Sequence, residues 1–198
     1  MKEDSIKKVT GLMAILLPFV VVFAGLMSPY NNRNWWHSLS ASYYNDSTAT
    51  IFYLWLFIIS ILLLLNKGLI AKLQGISLWG ILLFPAADPT IPIEGSTTGV
   101  FNLNLSTSDI IHSVSCFVLL ALIYAQIILF MKSSNLKRVY KLLLSLITFS
   151  TIAIITENGL HAINYWDAHW TTIITESLLF IAVGYGYYIK GVEEEKGY

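Results

Sequence analysis

The sequence predicts an all-α, polytopic membrane protein with six transmembrane helices and both termini cytoplasmic. Composition is the first reason. Hydrophobic residues make up 56% of the 198 and charged residues only 12%, about half the ~25% of an average soluble domain, and the mean hydropathy is +0.65. The second reason is that the apolar residues gather into six runs separated by short polar connectors. The third is charge placement. If the chain crosses six times, all ten lysines and Arg138 fall on one side and only Arg33 on the other. The positive-inside rule assigns the lysine side to the cytoplasm. The expected location is a cell membrane, inner or plasma, with the lipid bilayer as the partner.

The first span is expected at residues 9–28, about the 20 residues that a hydrocarbon core of roughly 30 Å requires. Lysines precede it, as in a signal peptide. The run is long for one, however, and Gly25-Leu26-Met27-Ser28 makes a poor cleavage site, so it reads as a retained helix kinked at Pro18. It carries almost no polar side chain, which predicts a peripheral place in the bundle. A connector rich in aromatics and hydroxyls follows, with Trp35-Trp36-His37-Ser38 at its centre. Asp46, Ser47 and Thr48 supply N-cap chemistry for a second span at 49–65, and Asn66-Lys67-Gly68 ends it. After a tight connector at 69–72, a short third span runs over 73–87 and closes at Phe84-Pro85, since proline disfavours helix at the residue before it.

Residues 90–108 form the longest polar loop. Ser108 or Asp109 is the expected cap of a fourth span at 110–131. A basic turn leads to a fifth at 142–156. A second aromatic, ionisable connector (157–170) precedes the sixth at 171–189, and Glu193-Glu194-Glu195-Lys196 reads as a tail. Gly184 and Gly186 suit close helix packing. Tryptophans 35, 36, 166 and 170 fall where an interfacial aromatic belt is expected. No hydrophilic stretch is long enough for a second domain, so residues 1–198 form one membrane domain. The zero net charge argues against nucleic acid as a partner. Cys116 is the lone cysteine, so no intrachain disulfide forms.

The ionisable groups point to where function lies. All four histidines fall at or beyond the outer ends of spans, with most of the acids. Glu176 lies about 9 Å into the sixth span at about 1.5 Å per residue, where a carboxylate requires a partner or a proton. Asp109 and His112 share a helix face, and their polar stripe continues through Ser115 and Cys116 to Gln126. Interhelical hydrogen bonding accounts for such a stripe; a His112 that lines an outward cavity is the functional reading. The candidate pocket therefore comprises His37, Ser38, Ser40, Asp46, Asp88, Asp109, His112, His161, Asp167, His169 and Glu176. Any metal would use His37, His112, His161 and His169, although His161 and His169 match no zinc spacing. No nucleophile elbow or phosphate loop is present.

Several segments recur in a set order. Ser38-Leu39-Ser40-Ala41-Ser42-Tyr43-Tyr44 opens the second span, Leu83-Phe84-Pro85-Ala86-Ala87-Asp88 closes the third, and Ile111-His112-Ser113 opens the fourth. In this order the chain resembles a group of small prokaryotic six-helix membrane proteins known only as a domain of unknown function. That resemblance covers spans two to six and implies a fold without an activity. A remoter likeness is to the membrane hydrolases of the alkaline ceramidase and adiponectin-receptor type. Those hold zinc with three histidines beside a serine and an aspartate. Their seven spans and the His-x-x-x-His of their last helix have no counterpart here. The leading expectation is an outward-facing pocket for a small polar ligand, a lipid headgroup or an ion. The alternative is a metal-dependent hydrolase of a lipid or amide, with zinc as its cofactor.

Overall fold

The computed structural model describes residues 2–27, 39, 43, 46–86, 97–99, 101–162 and 170–197; for 46, 47, 98, 158, 159, 161, 162 and 170 it describes the main chain. Helices α1 (Glu3–Leu26), α2 (Asp46–Leu65), α3 (Leu69–Leu83), α4 (Leu105–Lys132), α5 (Lys137–Ala162) and α6 (Trp170–Glu195) account for nearly all of it. A hairpin of β1 (Thr97–Thr98) and β2 (Leu103–Asn104) precedes α4, with Thr97 opposite Asn104. Each helix packs on the next in sequence, and α6 returns to α1, so the six form a closed ring.

Apolar side chains occupy both sides of this ring. Leu17, Val21, Leu56, Ile127 and Ile147 are buried inside, while Phe19, Phe23, Phe117, Phe149 and Ile152 are well exposed outside. A helix apolar on all faces suits lipid rather than water as its surroundings. Five of the helices are long and apolar enough to cross a membrane. The 15 residues of α3 extend about 22 Å, short of a hydrocarbon core of roughly 30 Å.

The helices outrun the apolar stretches that announced them. α3 begins at Leu69, so residues 69–72, expected as a connector, form its first turn. It ends at Leu83 and not at residue 87, because Pro85 removes Phe84 from helical space. α4 starts at Leu105 and is capped by Asn104, whose side chain accepts the Ser106 N–H at 2.9 Å; neither Ser108 nor Asp109 is the cap. α5 reaches Ala162, which brings Glu157 and His161 out of the expected connector and into a helix. The three glutamates expected as a tail complete α6. Acidic residues at a helix C-terminus oppose the helix dipole, and lysines of α1 offset this. Lys7 Nζ donates to Glu194 at 2.6 and 2.7 Å, and Lys8 Nζ to Glu195 at 2.7 Å.

The expectation of a peripheral α1 is also corrected. The α1–α6 contact is the most extensive in the ring. Beyond those end ion pairs it rests on small residues, as membrane helix contacts commonly do. A Cβ on Gly184 would lie 2.6 Å from the Gly11 carbonyl oxygen and 2.8 Å from Ile15 N. Gly80 plays the same part between α3 and α4, where a Cβ would strike the Ser115 side chain. Gly80→Ala should destabilise by about 1–3 kcal/mol, the usual cost of overpacking, and Ser115→Gly should recover the steric share. Thermal melting of the two single variants and the pair measures this. Additive losses would show that the contact is not the cause.

The helix ends gather at two poles. At one, Lys7 of α1, Lys67 after α2, Ser133 and Ser134 after α4, and Lys190 and Glu193 of α6 interact. Lys67 lies 3.7 Å from Glu3, Lys190 Nζ donates to Ser133 O at 3.1 Å, and Ser134 Oγ donates to Glu193 at 2.5 Å. Between this pole and the ring centre, Tyr187 OH donates to Gln74 Oε1 at 2.5 Å, both residues being buried. Every described Lys and Arg belongs to this lysine pole by its place in the helices. The opposite pole carries the groups singled out from the sequence.

Candidate functional site

At the opposite pole the main chain leaves α3 as an extended stretch, and α4 side chains meet its freed carbonyls. Ser108 Oγ donates to Pro85 O at 2.9 Å, and His112 Nδ1 lies 2.8 Å from Phe84 O. Ser108 and His112 are one turn apart on α4, so both face α3, and both are buried. The hairpin leans on the same place. Gly99 has φ +75° and sits where a Cβ would come 2.9 Å from Leu83 O, and Phe101 stacks on Phe84 at 5.6 Å between ring centroids. An Nδ1 bonded to a carbonyl oxygen must carry the proton, so His112 acts here as a donor that holds α3 to α4. His112→Ala should cost about 1–3 kcal/mol, because it leaves the half-buried Phe84 carbonyl without its donor. A melting temperature unchanged by the substitution would remove that role.

Glu176 finds the partner its depth required. Its Oε2 accepts the main-chain N–H of Leu39 at 2.6 Å. Leu39 is 1% exposed and belongs to the hydrophobic core, so the α1–α2 connector touches the bundle interior here. The side chain that seats it is a carboxylate on α6. Glu176→Ala should free the connector and raise proteolysis within it, read by limited digestion; unchanged digestion would sink this role.

A second acid proves more consequential. Glu157 on α5 is 6% exposed, and Thr171 Oγ1 of α6 donates to its Oε1 at 2.5 Å. These residues stand at the head of a cleft of about 340 Å³ between α5 and α6. Its α5 wall is Phe149, Ile152, Ala153, Thr156, Glu157 and Leu160, and Thr171 and Thr175 line the α6 side. The α5 positions recur at the three- and four-residue intervals of one helix face. Its volume lies at the lower end of ligand pockets, about 300–1,000 Å³.

Of the residues expected to form a pocket, Asp109, His112 and Glu176 are described with their side chains, on α4 and α6. For Asp46, the first residue of α2, and His161, in the last turn of α5, the main chain is described. His37, Ser38, Ser40, Asp88, Asp167 and His169 lie outside the described residues. No three His, Cys, Asp or Glu side chains gather as a metal site among the described residues.

The sequence reading missed the cleft. Glu157 counted only as one acid of a connector, and Thr171 and Thr175 drew no notice. The available signal was Thr156-Glu157 ending one apolar run and Thr171-Thr172 beginning the next, which places polar groups side by side on antiparallel neighbours.

Fold and site together define an all-helical protein with five helices long and apolar enough to cross a membrane, and with hydrogen-bonded acids at the pole opposite its lysines. Searches of family models, curated proteins and solved structures find no match to this chain.

Proposed function

We propose that this chain is a six-span protein of a cell membrane, with both termini cytoplasmic and an outward-facing site that binds a small polar ligand, a lipid headgroup or an ion. The α5–α6 cleft carries this reading. It joins an apolar wall to a buried carboxylate and three threonines, the combination of apolar lining and a few fixed polar groups typical of ligand sites. The lysine distribution supports the orientation, with α3 as a short sixth span. The order of the Ser38–Tyr44, Phe84-Pro85 and Ile111-His112 segments supports kinship with the six-helix group of unknown function.

Two experiments test this. Reporter fusions at Arg33 and Arg138 should place the first outside and the second in the cytoplasm; an external Arg138 overturns the orientation. Solvent extracts of the purified protein, analysed by mass spectrometry, should contain a bound small molecule or lipid in near-stoichiometric amount. Ala153→Trp, which fills the cleft from the α5 wall, should deplete it. A species retained equally by that variant would place the binding elsewhere.

A further inference from the structure

We propose that the α5–α6 cleft takes a single-chain amphiphile with a protonated amine head, the head at Glu157 and the chain lying along α5 toward Phe149. This rests on the cleft being the binding site, and it adds the chemical class of the ligand.

The shape of the cleft argues for a chain. Phe149 to Leu160 spans about 16 Å at about 1.5 Å per residue, and its walls below Thr156 are Phe149, Ile152 and Ala153. Phe149 is 62% and Ile152 60% exposed, so the cleft opens sideways along the outer surface of the ring. A compact polar solute would gain little from such walls, whereas each buried methylene contributes about 0.8 kcal/mol. Depth argues the same way. Along α5 the apolar run closes at Ile155-Thr156 and is followed by Glu157 and Asn158. Glu157 thus marks its edge, where a headgroup belongs, and Phe149 and Ile152 lie inside it with the chain.

The charge of the cleft argues for a cation. Glu157 is buried, and a neutral hydroxyl, Thr171 Oγ1, donates to it. Thr175 Oγ1 turns its own hydrogen to the Thr171 and Thr172 carbonyls of its helix. Buried charges are ordinarily paired, yet every described Lys and Arg stands at the far pole. Arg33, His37 and His169 lie outside the described residues, and of His161 the main chain is described. An ammonium head supplies a positive charge that no described side chain brings there, and it donates hydrogen bonds to the carboxylate. An anionic head would face Glu157 unfavourably.

The test uses full-length protein in digitonin, an uncharged detergent without a linear alkyl chain, and three probes: dodecylammonium, dodecanol and methylammonium. Titration calorimetry should show dodecylammonium saturating at one per chain. Its affinity should exceed that of dodecanol by about tenfold or more, about 1.4 kcal/mol, and methylammonium should not bind. Glu157→Gln keeps an acceptor for Thr171 and should erase the preference for the amine. Leu160→Lys, one turn beyond Glu157, should do the same by occupying the carboxylate, and it serves if Glu157→Gln does not fold. Ala153→Trp should abolish binding of both alkyl probes. Equal affinity for dodecanol and dodecylammonium overturns the amine head and leaves the cleft standing. Methylammonium binding as tightly as dodecylammonium overturns the chain. Failure of both alkyl probes to saturate, or binding unaffected by Ala153→Trp, overturns the cleft as the site.

Discussion

Gly184→Val will leave α6 unable to dock on α1, and the purified chain will aggregate rather than elute as a folded species on size exclusion. The main chains themselves are in contact here. A Cβ at residue 184 would lie 2.6 Å from Gly11 O, 2.8 Å from Ile15 N and 2.9 Å from Ile15 Cγ1. No rotamer change relieves a clash with main-chain atoms, so one of the two helices must shift. Gly191 repeats the arrangement seven residues on, where a Cβ would lie 2.6 Å from Asp4 O, so the seam continues along the helix pair. Overpacking of a core costs about 1–3 kcal/mol when side chains can adjust. Here even Gly184→Ala should reach the upper part of that range. For a chain of this size it should lower the melting temperature by about 5–10 °C, at about 2–4 °C per kcal/mol. Valine adds two further methyl groups at the same point. If Gly184→Val melts within about 2 °C of the parent, the helix contact is not where the structure places it.

That seam also shows what the sequence could and could not reveal. Gly184 stood out as a packing position, but its partner on α1 did not. α1 read as peripheral because polar side chains were taken as the mark of an interior helix, whereas its contact is built from Gly11 and the absence of side chain. Helix ends were misjudged for a related reason. A hydropathy run stops at the first lysine or glutamate, but α5 begins at Lys137 and α6 continues through Glu195, because hydrogen bonding along a helix is indifferent to where apolarity ends. The N-cap of α4 moved to Asn104 once the hairpin set the entering direction of the chain. At the candidate site, the shared face of Asp109 and His112 was legible from their spacing. The Phe84 carbonyl that receives His112 was not, since it depends on Pro85 ending α3. Glu176 was correctly suspected of needing a partner. Its donor is the main-chain N–H of Leu39, which no inventory of side chains contains. The cleft beside Glu157 depends on the separation of α5 and α6, a quantity that no single helix encodes.

Lys7→Met should destabilise the bundle by about 2–3 kcal/mol. Lys7 is 8% exposed, and its ammonium lies 2.6 Å from Glu194 Oε2 and 3.2 Å from Glu3 Oε1. Removing one member of a buried pair costs about 3–5 kcal/mol, because the charge left behind has lost its solvent and its partner. The Glu194 side chain is 29% exposed and regains some water, which lowers the figure. Lys67 makes a contrast. Its side chain is 84% exposed and 3.7 Å from Glu3, so Lys67→Met should fall within about 0.5 kcal/mol of the parent. The buried Lys7–Glu194 pair also predicts a pattern among double variants. Lys7→Met with Glu194→Met should cost less than Lys7→Met alone, since no stranded carboxylate remains at position 194. The exchange Lys7→Glu with Glu194→Lys, by contrast, sets a new carboxylate beside Glu3 and should recover only part of the loss. Melting curves of these variants in one detergent decide the matter. If Lys7→Met and Lys67→Met behave alike, the pair at the lysine pole is an exposed contact, and the docking of α6 rests on the glycine seam alone.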